Sequence, residues 1–241
     1  MQYRRLGKTG LMVSEIGFGG EWLERHEESE SVALMKYAHS KGINIIDCWM
    51  PDPKSRNIIG RAIAEDRAGW YVQGHIGSTY QNGQYTRTRD AEQCRIAFED
   101  LLGRLKTDYI DLGMIHYVDQ ETDWNVVSRP GPFLDYVMEL KQQGKIRHIG
   151  LSTHNPALLD ALPSEAIPDV VFCYRDLKSG SSKLVQLSEI VDYPELLAQG
   201  TLGYLSVNGL IDRYAKNPRT EEEKKSKALA WLERMKKGGA A

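Results

Sequence analysis

The sequence predicts an α/β protein with a TIM-type (β/α)8 barrel that is incomplete or irregular in its C-terminal third. From residue 15 onward, β-prone apolar runs alternate with helical patterns at about one βα unit each, which is the signature of a parallel sheet. The segment Gly17-Phe18-Gly19-Gly20 does not match the dinucleotide fingerprint GxGxxG, and this favours a barrel over a doubly wound sheet. We therefore expect one domain over residues 1–241, irregular from about residue 175.

The N-terminal part predicts a hairpin followed by successive βα units. Two short β-prone pieces in residues 3–13 flank Gly-Lys-Thr-Gly, a typical hairpin turn. Gly42 is placed to end the first helix with a positive φ angle. In order, we expect strand 15–18, helix 30–40, strand 43–47, helix 55–64 capped by Ser55, and strand 70–76.

The middle of the chain continues the same alternation. Apolar periodicity and capping residues predict helix 90–105, strand 109–115, helix 132–143, strand 146–152, a short helix 156–162 capped by Asn155, and strand 169–174.

Beyond Tyr174 the pattern becomes irregular. Residues 183–191 fit either a strand or a helix, and the barrel can close only if they form a strand. After them we expect a short helix 194–200, a strand 202–207 and a final helix 220–235 that opens with a capping box.

Charge and cysteine content exclude several classes of protein. The chain has 31 Lys and Arg against 33 Asp and Glu, so no basic field indicates a nucleic acid or an anionic membrane as partner. Three widely spaced cysteines without a CxxC pair indicate reduced thiols, with no disulfide framework, metal site or iron–sulfur cluster. No membrane span or leader is apparent, so we expect a cytoplasmic protein that acts on a small molecule.

Polar residues collect where the predicted strands end. Asp47, His75 and His116 each follow an apolar run, as do the pairs Gly19/Gly20 and Ser152/Asn155. The carboxyl ends of barrel strands surround the catalytic mouth, so a carboxylate and two imidazoles are expected to converge there. Each residue also has an ordinary interpretation: Asp47 as a turn acid, the histidines as core residues, and Ser152 with Asn155 as a capping pair.

Several segments together resemble the aldo-keto reductase superfamily over roughly the first 160 residues. The matching landmarks are YRRLGKTGLMVSEIGFGG, GINIIDCW, TDYIDLGMIH and GKIRHIGLSTHN. GFGGEWLERH, QGHIGS and GMIHYVD further resemble the bacterial branch whose longer members carry a C-terminal iron–sulfur extension, which is expected to be absent here.

The resemblance implies a barrel that binds NADPH, or NADH, and reduces a small aldehyde or ketone by hydride transfer. In the family a Tyr donates the proton, an Asp-paired Lys tunes that Tyr, and a His orients the carbonyl. Asp47 and His116 match the Asp and the His, whereas Asp52 stands at the Tyr position and His75 at the Lys position. We therefore hypothesise that His75, held by Asp47, donates the proton while His116 fixes the substrate oxygen.

The resemblance also implies binding residues. Ser152 and Asn155 correspond to contacts with the nicotinamide carboxamide, and Tyr204 lies near the position of a stacking ring. Gly19 and Gly20 are expected beside the cofactor, and Trp22 and Trp49 beside the substrate unless they serve only in packing. The basic residues Arg213, Lys216 and Arg219 are candidates for phosphate contacts or ordinary surface charges.

Two other functions stay open at this point. The altered Tyr and Lys positions are compatible with a barrel that has lost redox chemistry, either a binding or regulatory protein or a lyase or isomerase that uses acid–base catalysis. A truncated or engineered barrel is the third possibility. The sequence does not predict an oligomeric state.

Overall fold

The computed structural model describes residues 1–161, 171–175, 182–187 and 193–211, together with the single residues 190, 222, 225, 226 and 229. The chain divides into two compact units, Met1–His154 and Asn155–Ala241. The expectation of one domain over the whole length stays a prediction, and the units are described separately.

The first unit is built on a five-stranded parallel sheet. Its strands are β3 (Phe18–Gly19), β4 (Ile45–Cys48), β5 (Tyr71–Ile76), β8 (Ile110–Ile115) and β9 (Ile146–Leu151). They lie side by side in chain order, as successive βα units of a barrel do. Two antiparallel hairpins accompany the sheet: β1 (Tyr3–Arg5) with β2 (Met12–Ser14), and β6 (Ser78–Gln81) with β7 (Gln84–Arg87).

Five helices belong to this unit: α1 (Glu28–Ser40), α2 (Pro53–Ile63), α3 (Ala91–Leu105), α4 (Glu121–Val127) and α5 (Pro132–Gln142). The first three and the last agree with the sequence-based prediction to within about two residues at most ends, because each presents apolar side chains at helical spacing. In α3, for example, the buried face consists of Cys94, Phe98, Leu101, Leu102 and Leu105. The helix α4 was not predicted.

Two helix starts show how local chemistry fixes the bounds. Asp90 caps α3 as expected, its side chain accepting a hydrogen bond from the amide of Gln93. The cap of α2 was predicted at Ser55 but is Asp52, whose carboxylate accepts from the amides of Lys54 and Ser55. Pro53 then occupies the first turn, where its missing N–H costs nothing, so the helix begins two residues before the predicted start.

The hairpin of β6 and β7 inserts between β5 and α3 and was missed by the sequence analysis. Its turn is Asn82-Gly83, with φ angles of 50° and 79°. Positive φ at both central residues is the requirement of a type I′ turn, and Asn-Gly is its preferred sequence. The hairpin carries Tyr80 and Tyr85 opposite each other across the two strands.

The second unit contains an antiparallel hairpin and two short helices among its described residues. Here β10 (Val171–Arg175) pairs with β11 (Ser182–Gln186) in antiparallel register, and α6 (Tyr193–Leu197) and α7 (Leu202–Val207) follow. The segment 183–191, for which a strand or a helix was predicted, therefore contains a strand. This strand pairs antiparallel with β10 in a hairpin, not in a parallel sheet. The segment predicted as helix 156–162 forms a 3-10 helix, Pro156–Ala161.

Residues 202–207 were predicted as a strand, and this was wrong. They form α7 because the Thr201 side chain caps the segment by accepting from the Tyr204 amide. Leu202 and Leu205, three residues apart, are both buried, which is the spacing of one helix face. They pack with Val185, Leu187, Ile190, Leu196 and Ile211 in the core of this unit.

The predicted final helix lies largely outside the described residues, although residues 222, 225, 226 and 229 are helical. Arg213, Lys216 and Arg219 also lie outside them. Over the part of the chain that is described, no helix combines the length and apolar character needed to cross a membrane.

Candidate active site

The parallel register of the first unit brings the predicted polar strand ends to one edge of the sheet. Asp47 lies opposite Gly19 on one side and Gln73 on the other. His75 is two residues further along β5, and the amide of His116 donates to the carbonyl of Ile76 over 3.0 Å. The sequence-based convergence of Asp47, His75 and His116 is therefore found in the structure.

The two imidazoles are in direct contact. Nδ1 of His75 lies 2.8 Å from Nδ1 of His116, and the two residues are only 8% and 5% exposed. The other ring nitrogen of His75, Nε2, is 3.2 Å from Oδ1 of Asp47. That approach is an ion-pair distance without hydrogen-bond geometry, since Oδ1 has no hydrogen-bond partner. Nε2 of His75 is also 3.4 Å from the side-chain nitrogen Nε2 of Gln73.

The environment of His116 keeps its imidazole neutral. Burial is the largest cause, and it lowers the pKa of His116 to about 3 because an apolar surrounding disfavours the charged form. The nearby positive charges of His75, Arg89, Arg87 and His154 act in the same direction. His116 can therefore accept and donate hydrogen bonds near neutral pH without carrying a net charge.

A tyrosine that the sequence analysis overlooked completes the cluster. The hydroxyl of Tyr85, on β7, lies 2.8 Å from Nε2 of His116, and burial raises the pKa of this phenol above its ordinary value. The ring of Tyr85 meets Trp49 edge-on, with centroids 5.5 Å apart. The Asn-Gly turn was the sequence signal for the hairpin that carries this residue.

These side chains line a cavity of about 480 Å³. That volume is within the range of small-molecule sites, roughly 300–1,000 Å³. Trp49 forms part of its wall, stacked on His116 at an interplanar angle of 8°, and its carbonyl accepts from the Ser78 hydroxyl. The complete lining consists of Glu21, Asp47, Trp49, Gln73, His75, Tyr85, His116, Tyr117, Ser152 and His154.

Two arginines fix the loop that follows β8. Arg87 donates to the carbonyl of Tyr117, and Arg89 donates to the carbonyl of His116 over 2.6 Å. Both guanidinium groups also lie near the carboxylate of Asp123, at 3.0 and 3.6 Å. These hydrogen bonds hold the backbone of His116 in place. Tyr117, the next residue, has a positive φ of 54°.

The two glycines at the end of the first parallel strand, Gly19 within β3 and Gly20 directly after it, lie against the backbone of Asp47. The amide of Gly20 donates to the carbonyl of Asp47 over 2.9 Å, and a Cβ atom at this position would lie 2.5 Å from that oxygen. A side chain is therefore excluded at Gly20 by close approach, whereas a Cβ at Gly19 would meet open space. Their assignment to cofactor binding stays a prediction.

Two predicted residues have other surroundings in the structure. Asp52 caps α2 and is not part of the cavity lining; its charge, after burial, raises the pKa of Tyr80. Trp22 is also outside the lining. It is 45% exposed and lies under the guanidinium of Arg25, 3.5 Å from the ring centroid.

The predicted nicotinamide contacts fall in different units. Ser152 lines the cavity, and its hydroxyl oxygen accepts from the amide of Tyr117 over 2.9 Å. Asn155 belongs to the second unit, where its side chain accepts from the amide of Ala157 as a helix cap. Tyr204, on α7 of that unit, is 52% exposed.

A further cavity of about 410 Å³ lies beside α2, β6 and α3. Its buried arginine, Arg56, is paired with Asp100 at 2.9 Å, and its lining contains no imidazole. We therefore place the candidate chemistry in the cavity around His116. Among the described residues no group of three His, Cys, Asp or Glu side chains is arranged to hold a metal ion.

Comparison with known proteins gives a consistent picture. The model of the aldo/keto reductase family matches residues 15–192. Protein tas of Escherichia coli is 28% identical, with 87% of this chain and 70% of that protein covered. L-galactose dehydrogenase of Arabidopsis thaliana is 29% identical, with coverages of 87% and 66%.

Solved structures of the same kind match over about two thirds of the chain. The holo form of aldo-keto reductase AKR11C1 from Bacillus halodurans has a TM-score of 0.58 and 27% identity, covering 67% of this chain and 53% of that one. A putative aldo-keto reductase from Pseudomonas aeruginosa has a TM-score of 0.55 and 29% identity, covering 63% and 59%. The chain thus spans a little more than half the length of these solved relatives.

These matches confirm the predicted fold class, the TIM-type α/β barrel. They do not bear out the narrower likeness to the branch with an iron–sulfur extension.

Proposed function

Since its residues 15–192 match the family model, this chain belongs to the aldo/keto reductase family, and on that premise we propose that it is an NAD(P)H-dependent oxidoreductase. The proposed reaction is reduction of a small aldehyde or ketone by hydride transfer. The observation that carries the proposal is the buried contact of His75 and His116, 2.8 Å between their Nδ1 atoms, in a cavity at the carboxyl edge of the parallel sheet.

The cavity has features that fit a nicotinamide ring. Trp49 and Tyr117 offer flat aromatic surfaces, and Ser152 and Gln73 offer polar groups of the kind that hydrogen-bond a carboxamide. The hydroxyl of Ser152 already accepts from a backbone amide and keeps its own proton to donate. When bound, the reduced nicotinamide supplies the hydride. Asn155 and Tyr204 remain proposed contacts on the resemblance alone.

The residues of the cavity can orient a carbonyl and provide a proton. His116 remains neutral because burial holds its pKa near 3, so its Nε2 side is suited to hydrogen bonding with a neutral partner rather than to carrying charge. Asp47, with its side chain 37% exposed, places a carboxylate 3.2 Å from His75. A general acid that is positioned to protonate the carbonyl oxygen typically contributes about 10²- to 10⁴-fold in rate.

The aromatic walls favour a small, partly apolar substrate. Trp49, Tyr85 and Tyr117 border the cavity, and aromatic rings supply large contact areas to apolar ligands. We propose a small carbonyl compound as substrate and NADPH as cofactor, with NADH as the other candidate, and a cytoplasmic location. Glu21 and Asp47 on the same lining would disfavour strongly anionic substrates.

Cofactor binding can be tested by titrating the protein with NADPH, and separately with NADH, while following tryptophan fluorescence. The chain has five tryptophans, and among those that the structure describes Trp49 lines the cavity. We expect saturable quenching, most of which is lost in Trp49→Phe. Trp124→Phe, on α4 and outside the cavity lining, is the matched control and is expected to retain the quenching.

The result also separates the proposal from its alternatives. Absence of binding up to millimolar cofactor would refute the oxidoreductase proposal and favour acid–base chemistry without redox change, or a binding protein. Tighter binding of NADPH than of NADH would decide the cofactor preference.

A further inference from the structure

Both ring nitrogens of His75 are occupied by other residues. Nδ1 faces His116 at 2.8 Å, and Nε2 faces Asp47 at 3.2 Å, with the Gln73 side chain at 3.4 Å from the same atom. A ring in this position has no nitrogen directed at a substrate. A proton on Nδ1 of His75 can therefore reach the cavity through His116, whereas a proton on Nε2 faces Asp47.

Beyond His116 the next group is the phenol of Tyr85. Its hydroxyl is 2.8 Å from Nε2 of His116, and Tyr85 is 38% exposed whereas His116 is 5% exposed. Tyr85 and Asp47, whose side chain is 37% exposed, are thus the two exposed ends of a row of polar side chains, and both line the cavity. The row runs from Asp47 through His75 and His116 to Tyr85.

The number of protons in the row decides the direction of its hydrogen bonds. When both imidazoles are neutral, one consistent arrangement has Tyr85 donating to Nε2 of His116 and Nδ1 of His116 donating to His75, whose own proton is on Nε2 toward Asp47. When His75 carries two protons, its Nδ1 donates to His116. Nε2 of His116 then donates to the oxygen of Tyr85, and the hydroxyl proton of Tyr85 is free to face the cavity.

We propose that Tyr85 is the proton donor in carbonyl reduction, supplied through His116 from a protonated His75. This rests on the proposed function and replaces direct donation by His75. With a reduced nicotinamide bound, the carbonyl carbon would accept its hydride, the π electron pair would move to the carbonyl oxygen, and that oxygen would take the proton of Tyr85. Tyr85 takes the Nε2 proton of His116, and Nδ1 of His116 takes the Nδ1 proton of His75.

After the reaction the row has lost one proton and His75 is neutral. His75 regains a proton from solvent before the next turnover. Asp47 supplies the negative charge beside the imidazolium of His75 in the loaded state. His116 and His75 are positioning residues in this scheme, since they act through Tyr85. His116 transfers a proton by exchanging one N–H for the other, so it never needs to hold a net charge.

The charges around the row are compatible with these roles. Burial raises the pKa of Tyr85, a neighbouring Tyr117 acts in the same direction, and Arg87 and Arg89 oppose it. The net effect keeps the phenol protonated at neutral pH, as a donor must be. His116 is faced by His75, Arg87, Arg89 and His154, all of which disfavour its charged form.

The proposal is tested with Tyr85→Phe, which removes one oxygen atom. Tyr80→Phe is the matched control, because Tyr80 lies opposite Tyr85 on the same hairpin and outside the lining of this cavity. The assay is reduction of 4-nitrobenzaldehyde by NADPH. We expect kcat of Tyr85→Phe to fall by about 10²- to 10⁴-fold, with the NADPH dissociation constant unchanged within about threefold and Tyr80→Phe close to the wild-type protein.

Two further readouts distinguish a proton donor from a packing residue. The solvent deuterium isotope effect and the pH profile of kcat are expected to change in Tyr85→Phe but not in Tyr80→Phe. In ¹⁵N spectra of the imidazoles, the Nε2 signal of His116 is expected to shift in Tyr85→Phe alone. This signal reports the hydrogen bond between Tyr85 and His116 and can be measured in the absence of catalysis.

Failure of the inference and failure of the proposed function give different results. A wild-type protein that reduces the aldehyde, together with a Tyr85→Phe variant of equal kcat, would overturn the role of Tyr85 alone. A wild-type protein that binds no NADPH would refute the proposed function, and the catalytic role of Tyr85 with it.

Discussion

Nδ1 of His75 and Nδ1 of His116 lie 2.8 Å apart in a buried part of the cavity. Only one hydrogen can occupy that contact, so one ring donates and the other accepts. The pair therefore links the protonation of a group next to Asp47 to the hydrogen bonding of Tyr85 on the other side.

Burial of His116 makes stability depend on pH. Its pKa is about 3 in the folded protein against an ordinary 6.5, so between these values the unfolded chain binds a proton that the folded chain does not. Stability from this group is therefore complete above pH 6.5 and is lost as pH falls toward 3, with a slope of at most about 1.4 kcal/mol per pH unit. Denaturant unfolding between pH 3 and 7 measures this slope.

The control for that prediction removes an imidazole elsewhere. His116→Gln should flatten the acid side of the stability curve, while His26→Gln, in an exposed loop, should not. An unchanged slope in His116→Gln would show that His116 is protonated in the folded state at mildly acidic pH.

Loss of His75 is expected to slow the reaction. His75→Ala removes the only ring in contact with both Asp47 and His116 among the described residues. We expect carbonyl reduction to fall by about 10²- to 10⁴-fold near neutral pH, with a changed pH profile of kcat. His26→Ala is the comparison variant. A rate unaffected by His75→Ala at every pH would exclude His75 from the proton supply.

The start of α2 provides a test of the position of Asp52. Its carboxylate accepts from the amides of Lys54 and Ser55, at 2.8 and 3.1 Å. Asp52→Ala should lower the free energy of unfolding by about 1 kcal/mol, whereas Asp52→Asn retains an accepting oxygen and should cost much less. Equal stability of both variants and the wild type, measured by urea unfolding, would contradict this cap.

A buried carboxylate at the other end of β8 is expected to matter more for stability. Asp111 is 1% exposed and accepts from Arg67, Arg147 and the amide of Val72, at 3.0, 3.1 and 3.0 Å. Asp111→Ala leaves the buried amide of Val72 without its acceptor and removes a charged partner from each arginine, and it should destabilise the protein by about 3–5 kcal/mol.

The comparison for Asp111 is a nearby acid without such contacts in the core. Asp108→Ala, at an exposed position, should change the free energy of unfolding by no more than about 0.5 kcal/mol. Similar losses in the two variants would show that the buried pairs contribute nothing beyond the loss of an acidic side chain.

The part of the fold that sequence reasoning found is the part fixed by local periodicity. The ends of β4, β5 and β8 could be placed because apolar runs stop at Asp47, His75 and His116, and parallel pairing then brings these ends together. Asp52 was assigned by counting along a loop, although an Asp followed by Pro at a helix start is a common cap. Counting positions along the loop could not show that the carboxylate of Asp52 accepts hydrogen bonds from the first amides of α2.

Two other features depend on tertiary contacts, which the periodicity of apolar residues does not reveal. Residues 202–207 form a short apolar run, for which strand and helix are hard to separate without knowing which side chains are buried. Tyr85 reaches His116 from an inserted hairpin, so its role depends on a contact between residues 31 positions apart. The Asn-Gly turn predicts such a hairpin, but not where its side chains point.

The central claim is that this cavity transfers hydride to a carbonyl, and isotopic transfer tests it most directly. The protein is incubated with 4-nitrobenzaldehyde and NADPH carrying deuterium at C4 of the nicotinamide, using each of the two stereospecifically labelled forms. The account predicts that one form places a single deuterium on the carbinol carbon of the alcohol, at a rate that falls in Tyr85→Phe. Product without deuterium from either form, or no product from a protein that binds NADPH, would contradict it.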